Sequence, residues 1–338
     1  MEYPFQSVGI DVSKASLDVA LPTASRFLSK RFANQHQGFD DLWSWMQEQA
    51  RGALHICLEP TGTYHDALVA FLLSHNVTVS LVPPSQITDF RRSEGTRHKT
   101  DKQDAILLAK FCQQKQPAAF VAVPEDLAHL RMLLARLEQV AQMQQAERNR
   151  LENGRLNEAI RSQIDEHRQM LLSWHEQLQE QIRAWIKQHA EMTAAEKLLR
   201  SIKGIGEVLA WHLLSVIGPD ASRFPSAYQL AAYLGLDVVH KQSGTSVRSL
   251  GKISKQGSPR VRRVLGMCAI VARRWDADMQ QWADELTRRG QKSRQVRVAL
   301  MRKLLYIAYG VLKSQQAYDR SRAWPTHQHP CGEETPAA

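Results

Sequence analysis

With 338 residues, 43% of them apolar, the chain is long enough for two or three domains with buried cores, which excludes a fibrous or disordered protein. Its four cysteines, Cys57, Cys112, Cys268 and Cys331, lie far apart without a C-x-x-C pair, so neither a disulfide framework nor a cysteine zinc site is expected, and a reducing cytoplasm fits. No basic-then-apolar leader opens the chain and no eighteen apolar residues run together, so neither secretion nor membrane spanning is expected.

The net charge of +10 is unevenly spread. Residues 1–124 hold 12 basic and 12 acidic side chains and residues 125–195 hold 9 and 11, whereas residues 196–338 hold 23 and 11. Between Asp237 and Asp276 there is no acid, but nine cations occur: Lys241, Arg248, Lys252, Lys255, Arg260, Arg262, Arg263, Arg273 and Arg274. A solvated surface interleaves signs, so a stretch of one sign this long points to a polyanionic partner.

In chain order, Ser7–Val12 and Leu17–Leu21 are β-rich runs separated by a hairpin signal at Ser13–Ser16, and Arg31–Ala33 ends a third strand. Residues 38–50 carry Phe39, Leu42, Trp43 and Met46 at helical spacing. His55–Leu58 is strand-like, Tyr64–Ser74 helical and Val77–Val82 strand-like until Pro83-Pro84 stops it, and Lys102–Gln113 is helical again. The order β-β-β-α-β-α-β-α predicts an α/β, RNase H-like mixed sheet in which the first and fourth strands are parallel neighbours.

From Glu125 the apolar spacing changes. Leu127, Leu130, Leu134 and Leu137 step by three and four, as do Leu171, Trp174, Leu178, Ile182 and Trp185 after a break near Asn153-Gly154. This predicts an antiparallel coiled-coil hairpin over 125–195, with an ordinary two-helix packing layer as the alternative that fits the spacing equally well. Residues 196–322 read as an all-α domain with polar interruptions at Lys203–Gly206 and at His240–Gly257, and 323–338 as a disordered tail. Residues 1–124 make up the sheet domain.

Two constellations carry chemistry. Asp11 ends the first strand and Glu59 the fourth; neighbouring strands about 4.8 Å apart would bring both to one cation. Asp101 and Asp104, three apart at a helix start, share a face and could join them. Four clustered carboxylates raise one another's pKa unless a divalent ion neutralises them, and oxygen-only donors point to Mg²⁺ or Mn²⁺ rather than Zn²⁺. Such ions would serve phosphoryl transfer. Each acid taken singly reads equally well as a turn, strand-end or helix-cap residue.

In the basic half, Lys203-Gly204-Ile205-Gly206 between two helices reads as a helix-hairpin-helix element that lets backbone N–H groups approach a phosphate, and equally as a helix C-cap and turn. The run from Lys241 to Gly251 places Ser243, Ser246 and Ser249 in a glycine-bearing basic loop that reads first as a plain phosphate-binding loop and could also house a nucleophile, and chemistry alone does not choose among the three. Ser258-Pro259 opens a helix whose Arg260, Arg262 and Arg263, with Lys252, Lys255 and Arg248 before it, predict a face that tracks a nucleic-acid backbone.

Gly-Ile-Asp-Val-Ser-Lys at 9–14 also resembles the phosphate-binding opening of the actin, Hsp70 and sugar-kinase fold, but that fold needs a second matching half where residues 125–195 are coiled-coil-like. Taken with Glu-Pro-Thr-Gly-Thr-Tyr at 59–64, Lys-Thr-Asp-Lys-Gln-Asp-Ala at 99–105, Gly-Ile-Gly at 204–206, Ser-Gly-Thr-Ser-Val-Arg at 243–248 and Tyr-Gly-Val-Leu-Lys-Ser at 309–314, the chain is similar to the DEDD-type insertion-sequence transposases, relatives of the pilin-gene invertase whose close members are bridge-RNA-guided serine recombinases. That resemblance implies a RuvC-like domain binding Mg²⁺ through Asp11, Glu59, Asp101 and Asp104, and a Ser243 that attacks a DNA phosphate to form a phosphoserine link. It further implies donor and target double-stranded DNA, a structured bridge-type noncoding RNA, a homo-oligomer (dimer or tetramer) with composite sites, and a place in the bacterial cytoplasm at the nucleoid. Two other readings stand beside it: a RuvC-like nuclease in which water attacks, and a noncatalytic nucleic-acid-binding protein.

Overall fold

The computed structural model describes residues 5–23, 25–50, 52–95, 100–120, 124–239, 242–243, 247–248 and 251–324. The chain divides into two compact units, Met1–Ala122 and Val123–Ala338.

The first unit runs β1 (Gln6–Val12), β2 (Ser16–Pro22), β3 (Phe27–Ala33), α1 (His36–Gln49), β4 (Leu54–Leu58), α2 (Asp66–Ser74), β5 (Thr78–Leu81), α3 (Pro84–Ser93) and α4 (Asp101–Lys115). Its five-stranded sheet has the order β3-β2-β1-β4-β5. The pairs β1–β2 and β2–β3 are antiparallel, and β1–β4 and β4–β5 parallel. This is the mixed sheet expected from the sequence, with the first and fourth strands adjacent and parallel.

Two details differ from expectation. The third strand spans seven residues, because Phe27–Lys30 pair with β2 although they are largely not buried and show no alternation. The proline pair does more than stop β5: Pro84 opens α3 at a position where no backbone N–H is needed.

Strand alternation assigns the two faces of the sheet. Val8, Ile10 and Val12 join Phe39, Leu42 and Met46 of α1 and Leu68 and Leu72 of α2 in one core. Ser7, Gly9 and Asp11 therefore point the other way, beneath α4. There the packing is close: a Cβ built on Gly9 would stand 2.1 Å from the carbonyl oxygen of Ala105 and 2.3 Å from the nitrogen of Ala109. Ala20, Ala105 and Ala109 are completely buried at the same seam. Small side chains on both partners let the helix backbone settle directly onto β1.

The second unit contains α5 (Glu125–Asn153), α6 (Glu158–Gln188), α7 (Ala190–Arg200), α8 (Glu207–Ile217), α9 (Ala227–Tyr233), β6 (Val238–Val239), β7 (Gln242–Ser243), β8 (Val247–Arg248), β9 (Lys252–Ile253), α10 (Pro259–Trp275), α11 (Ala277–Arg288), α12 (Ser293–Ser314) and α13 (Arg320–Ala323). Helices α5 and α6 pack along each other, with Gln144 Nε2 donating to the Leu171 carbonyl at 3.0 Å and His167 Nδ1 2.9 Å from Glu147 Oε1. Leu127, Leu130, Leu134, Leu137, Ile182 and Ile186 are buried and continue into the core that holds α8 and its fully enclosed Trp211. Of the second predicted seam, Trp174 is exposed, under the Arg136 guanidinium. Among the described residues no helix is long and apolar enough to cross a membrane.

Candidate functional site

The carboxylate cluster is assembled by three local features of the first unit. In the parallel β1–β4 ladder Ile10 pairs with Leu58, so Asp11 and Glu59, one step further along each chain, emerge side by side at the ends of the strands. Helix α4 begins at Asp101, capped by Thr100 Oγ1, which accepts from the Gln103 N–H at 3.3 Å. Its first turn carries Asp101 and Asp104, where the helix dipole favours negative charge. Because Gly9 brings Ala105 down onto β1, that first turn lies beside Asp11, two residues along the same strand face.

The electrostatics report the convergence. The Asp11 carboxyl is pushed up to about 6, first by burial and then by the negative charges of Asp104, Asp101, Glu59 and Asp18. Glu59, Asp101 and Asp104 are therefore each near enough to Asp11 to act on its charge. Asp18, the fifth, sits opposite Asp11 in the β1–β2 ladder and is nearly buried.

Two arginines partly offset this charge. Arg31 Nη2 lies 2.9 Å from Asp18 Oδ2 and 3.1 Å from Asp101 Oδ2, and Arg91 Nη2 lies 2.7 Å from Asp104 Oδ1. Asn34 Nδ2 donates to the carbonyls of Ser13 (2.8 Å) and Tyr64 (3.0 Å), tying the loop after β1 to the loop after β4. Sequence reading missed Asp18, Arg31, Arg91 and Asn34. The hairpin register that pairs Asp11 with Asp18 and Asp18 with Arg31 could have found two of them.

Of the predicted residues in the second unit, Ser243 is in β7 rather than an irregular loop, with Ser243 paired to Val247 and Gln242 to Arg248. Val238–Val239, just before the predicted loop, pair with Lys252–Ile253 and so bracket the β7–β8 ladder in sequence. Lys241, Ser246 and Ser249 lie outside the described residues, as does the tail beyond Trp324. Lys203, Gly206, Lys252, Lys255, Arg260 and Arg263 are exposed. Gly204 takes a positive φ of 92°, and a Cβ there would stand 2.6 Å from that of Ala272, so it seats the turn before α8 against α10.

The arginines of α10 are not an open row. Arg260 Nε lies 2.9 Å from Glu138 Oε2, and Arg263 pairs with the same carboxylate. Arg262, expected on a nucleic-acid face, turns inward: its Nη1 donates to the carbonyls of Leu234 (2.9 Å), Gln256 (2.7 Å) and Gly257 (3.2 Å). The Leu234 carbonyl, 28 residues upstream at the end of α9, shares it with two carbonyls just ahead of α10, a pairing that helical spacing cannot show.

Two of the cysteines meet a histidine in the fold. His55, Cys57 and Cys112, remote in sequence and without a C-x-x-C pair, are brought together in the buried interior, with a ring nitrogen and both sulfurs within 4.8 Å of one another.

Comparison with known proteins places the chain. A transposase family model of the DEDD type of IS110 elements matches residues 8–159, and the model of the IS116/IS110/IS902 transposase family matches residues 196–284. The pilin gene-inverting protein of Moraxella lacunata is 34% identical over 320 residues, covering 93% of this chain and 97% of that protein, and the pilin gene-inverting protein of Moraxella bovis matches at the same identity and coverage. Among solved structures, T. thermophilus RuvC in complex with a Holliday junction substrate aligns to 34% of this chain and 98% of its own, at 12% identity and a TM-score of 0.26. The chain belongs to the IS116/IS110/IS902 transposase family.

Proposed function

We propose that the protein is a DNA recombinase that moves or inverts DNA segments by divalent-metal-dependent strand exchange, with Asp11, Glu59, Asp101 and Asp104 as the metal-binding carboxylates and Ser243 as the nucleophile. The single observation that carries this reading is the position of Asp11, a half-buried acid held at the ends of two parallel strands among four other carboxylates. Such a cluster is electrostatically unfavourable without a cation, and an oxygen-only donor set suits Mg²⁺ or Mn²⁺. When bound, the ion would stabilise negative charge on the phosphate oxygens during transfer.

The chain's own groups have separable tasks. Gly9 and the alanines of α4 hold the first turn of α4 over Asp11, and Asn34 fixes the two loops that flank the acids. Arg31 and Arg91 hold Asp101 and Asp104 by ion pairs. Ser243 Oγ would form a bond to a DNA phosphorus while the bond to one sugar oxygen breaks, the serine proton passing to the departing oxygen. The phosphodiester energy would stay in the serine–phosphate link, and reversal onto a new sugar hydroxyl would join the strands.

On this reading the exposed Lys203, Lys252, Lys255, Arg260 and Arg263, with Lys241, Arg248 and the Gly204–Gly206 turn, contact DNA backbone, and the α5–α6 hairpin is a coiled-coil spacer between domains or between subunits of an oligomer. Likeness to the pilin gene-inverting proteins supports exchange over simple cutting. A bridge-type RNA guide is carried by family resemblance alone.

Denaturing-gel detection of a protein–DNA adduct tests the reading. The adduct should require Mg²⁺ or Mn²⁺ and vanish in Ser243→Ala and Asp11→Asn. A nuclease using water would keep cutting with Ser243→Ala, and a binding protein would be indifferent to metal; either outcome refutes the proposal.

A further inference from the structure

We propose that His55, Cys57 and Cys112 form a second, interior metal site that holds one thiophilic ion, Zn²⁺ by chemistry, and pins the C-terminal half of α4 to the sheet. The site is separate from the carboxylates in position and in donor type, and needs neither Ser243 nor Mg²⁺.

The geometry supports it at three points. His55 and Cys57 are two residues apart on β4 and so share the face toward α4, where Cys112 meets them. A ring nitrogen of His55 and both sulfurs lie within 4.8 Å of one another, all three residues being buried. A tetrahedral zinc with bonds of roughly 2.0–2.3 Å sets its ligands about 3.3–3.8 Å apart, so the triad needs to contract by about 1.5 Å at most.

The hydrogen bonding of His55 prepares it as a ligand. Ser80 Oγ is 2.8 Å from the Ala118 carbonyl and 3.1 Å from that of Pro117, and can only donate its proton there. Toward His55 Nε2, 2.7 Å away, the hydroxyl must therefore accept, which fixes the proton of the neutral ring on Nε2. The lone pair is left on Nδ1, an atom buried without a hydrogen-bond partner. Orientation of a histidine by a hydrogen bond at its far nitrogen is how metal-ligating imidazoles are held.

The fourth position has a neighbour of suitable kind. Ser7 lies across from His55 in the β1–β4 ladder, and its Oγ is likewise buried without a hydrogen-bond partner. Without an ion, Cys112 Sγ donates to the His55 carbonyl at 3.3 Å, a weak use for a completely enclosed thiol. Soft sulfur ligands select Zn²⁺ over Mg²⁺, so the two sites would not compete for the same ion. Cys112 is eight residues, about 12 Å along the helix, from Asp104; an ion here would fix the helix that presents the catalytic acids. Because the donors are enclosed, the ion would enter during folding.

The test uses the full chain expressed in cobalt-supplemented medium and purified in saturating Mg²⁺. Wild type should carry about one cobalt per chain with a thiolate-to-cobalt charge-transfer absorption, and protein made in zinc-supplemented medium about one zinc. Cys112→Ala, which replaces the thiol by a small apolar group, should lose the band and the ion, while Asp11→Asn should keep both. Wild type without cobalt or zinc, or without the band, overturns the proposal even if the cysteine variant cannot be obtained folded. So does cobalt that survives Cys112→Ala or leaves with Asp11→Asn.

Discussion

Gly9 of β1 lies so close beneath α4 that a methyl group there would stand 2.1 Å from the carbonyl oxygen of Ala105. This contact is what places Asp101 and Asp104 above Asp11. A side chain at position 9 cannot be absorbed by a rotamer change, because the atoms it would strike are backbone.

Gly9→Ala should therefore lift the helix and separate the acids. The expected cost is that of overpacking a rigid core, about 1–3 kcal/mol or more, which for a unit of this size lowers the thermal midpoint by roughly 5–15 °C. Activity should fall further than stability does: adduct formation is expected to drop by more than tenfold at a temperature where circular dichroism still shows the folded state. A variant with full activity would show that the seam does not position the site.

The raised pKa of Asp11 has a thermodynamic consequence. The carboxyl ionises near 3.8 in the unfolded chain and near 6 in the fold, so folding is penalised wherever the group is charged. That penalty is complete above pH 6, shrinks as pH falls from 6 toward 3.8, and is absent below. Two pKa units would correspond to about 3 kcal/mol; partial exposure of the group reduces the expectation to about 1–2 kcal/mol. In chelator-treated protein Asp11→Asn should raise the thermal midpoint at pH 7.5, with a smaller gain at pH 5. A variant less stable than wild type at pH 7.5 would contradict the repulsion.

The two kinds of basic residue in the second unit should separate in salt titrations of DNA binding. Lys252→Gln or Lys255→Gln, each removing an exposed cation, should make the log–log slope less negative by about 1. Arg262→Gln removes the donor that joins Leu234 to Gln256 and Gly257, so it should lower the thermal midpoint and leave the slope unchanged. A slope change for Arg262→Gln equal to that of the lysines, with unchanged stability, would return Arg262 to the DNA-facing set.

How much of this was legible in the sequence depended on the range of the signal. Helical and strand periodicity is local, and it carried the sheet order, the long α5 and α6, and the acids that punctuate β1, β4 and α4. What escaped depended on pairing between distant segments. Asp18 and Arg31 join the site through hairpin register, Asn34 through two loop carbonyls, and Arg91 through a helix–helix contact. The His55–Cys57–Cys112 triad combines a period-two pair with a residue 55 positions later, so no spacing rule for cysteines exposes it. Trp174 kept the coiled-coil spacing but is exposed, whereas Leu171 and Ile182 of the same predicted seam are buried.

The central claim, that Asp11, Glu59, Asp101 and Asp104 share divalent ions, is tested most directly by titrating the chelator-treated protein with Mn²⁺ and counting bound ions by electron paramagnetic resonance. The carboxylate site predicts at least one Mn²⁺ per chain, displaced by excess Mg²⁺ and lost or weakened at least tenfold in Asp11→Asn and in Asp104→Asn. Wild-type protein that binds no Mn²⁺ in the presence of DNA, or both variants binding as wild type does, would contradict it.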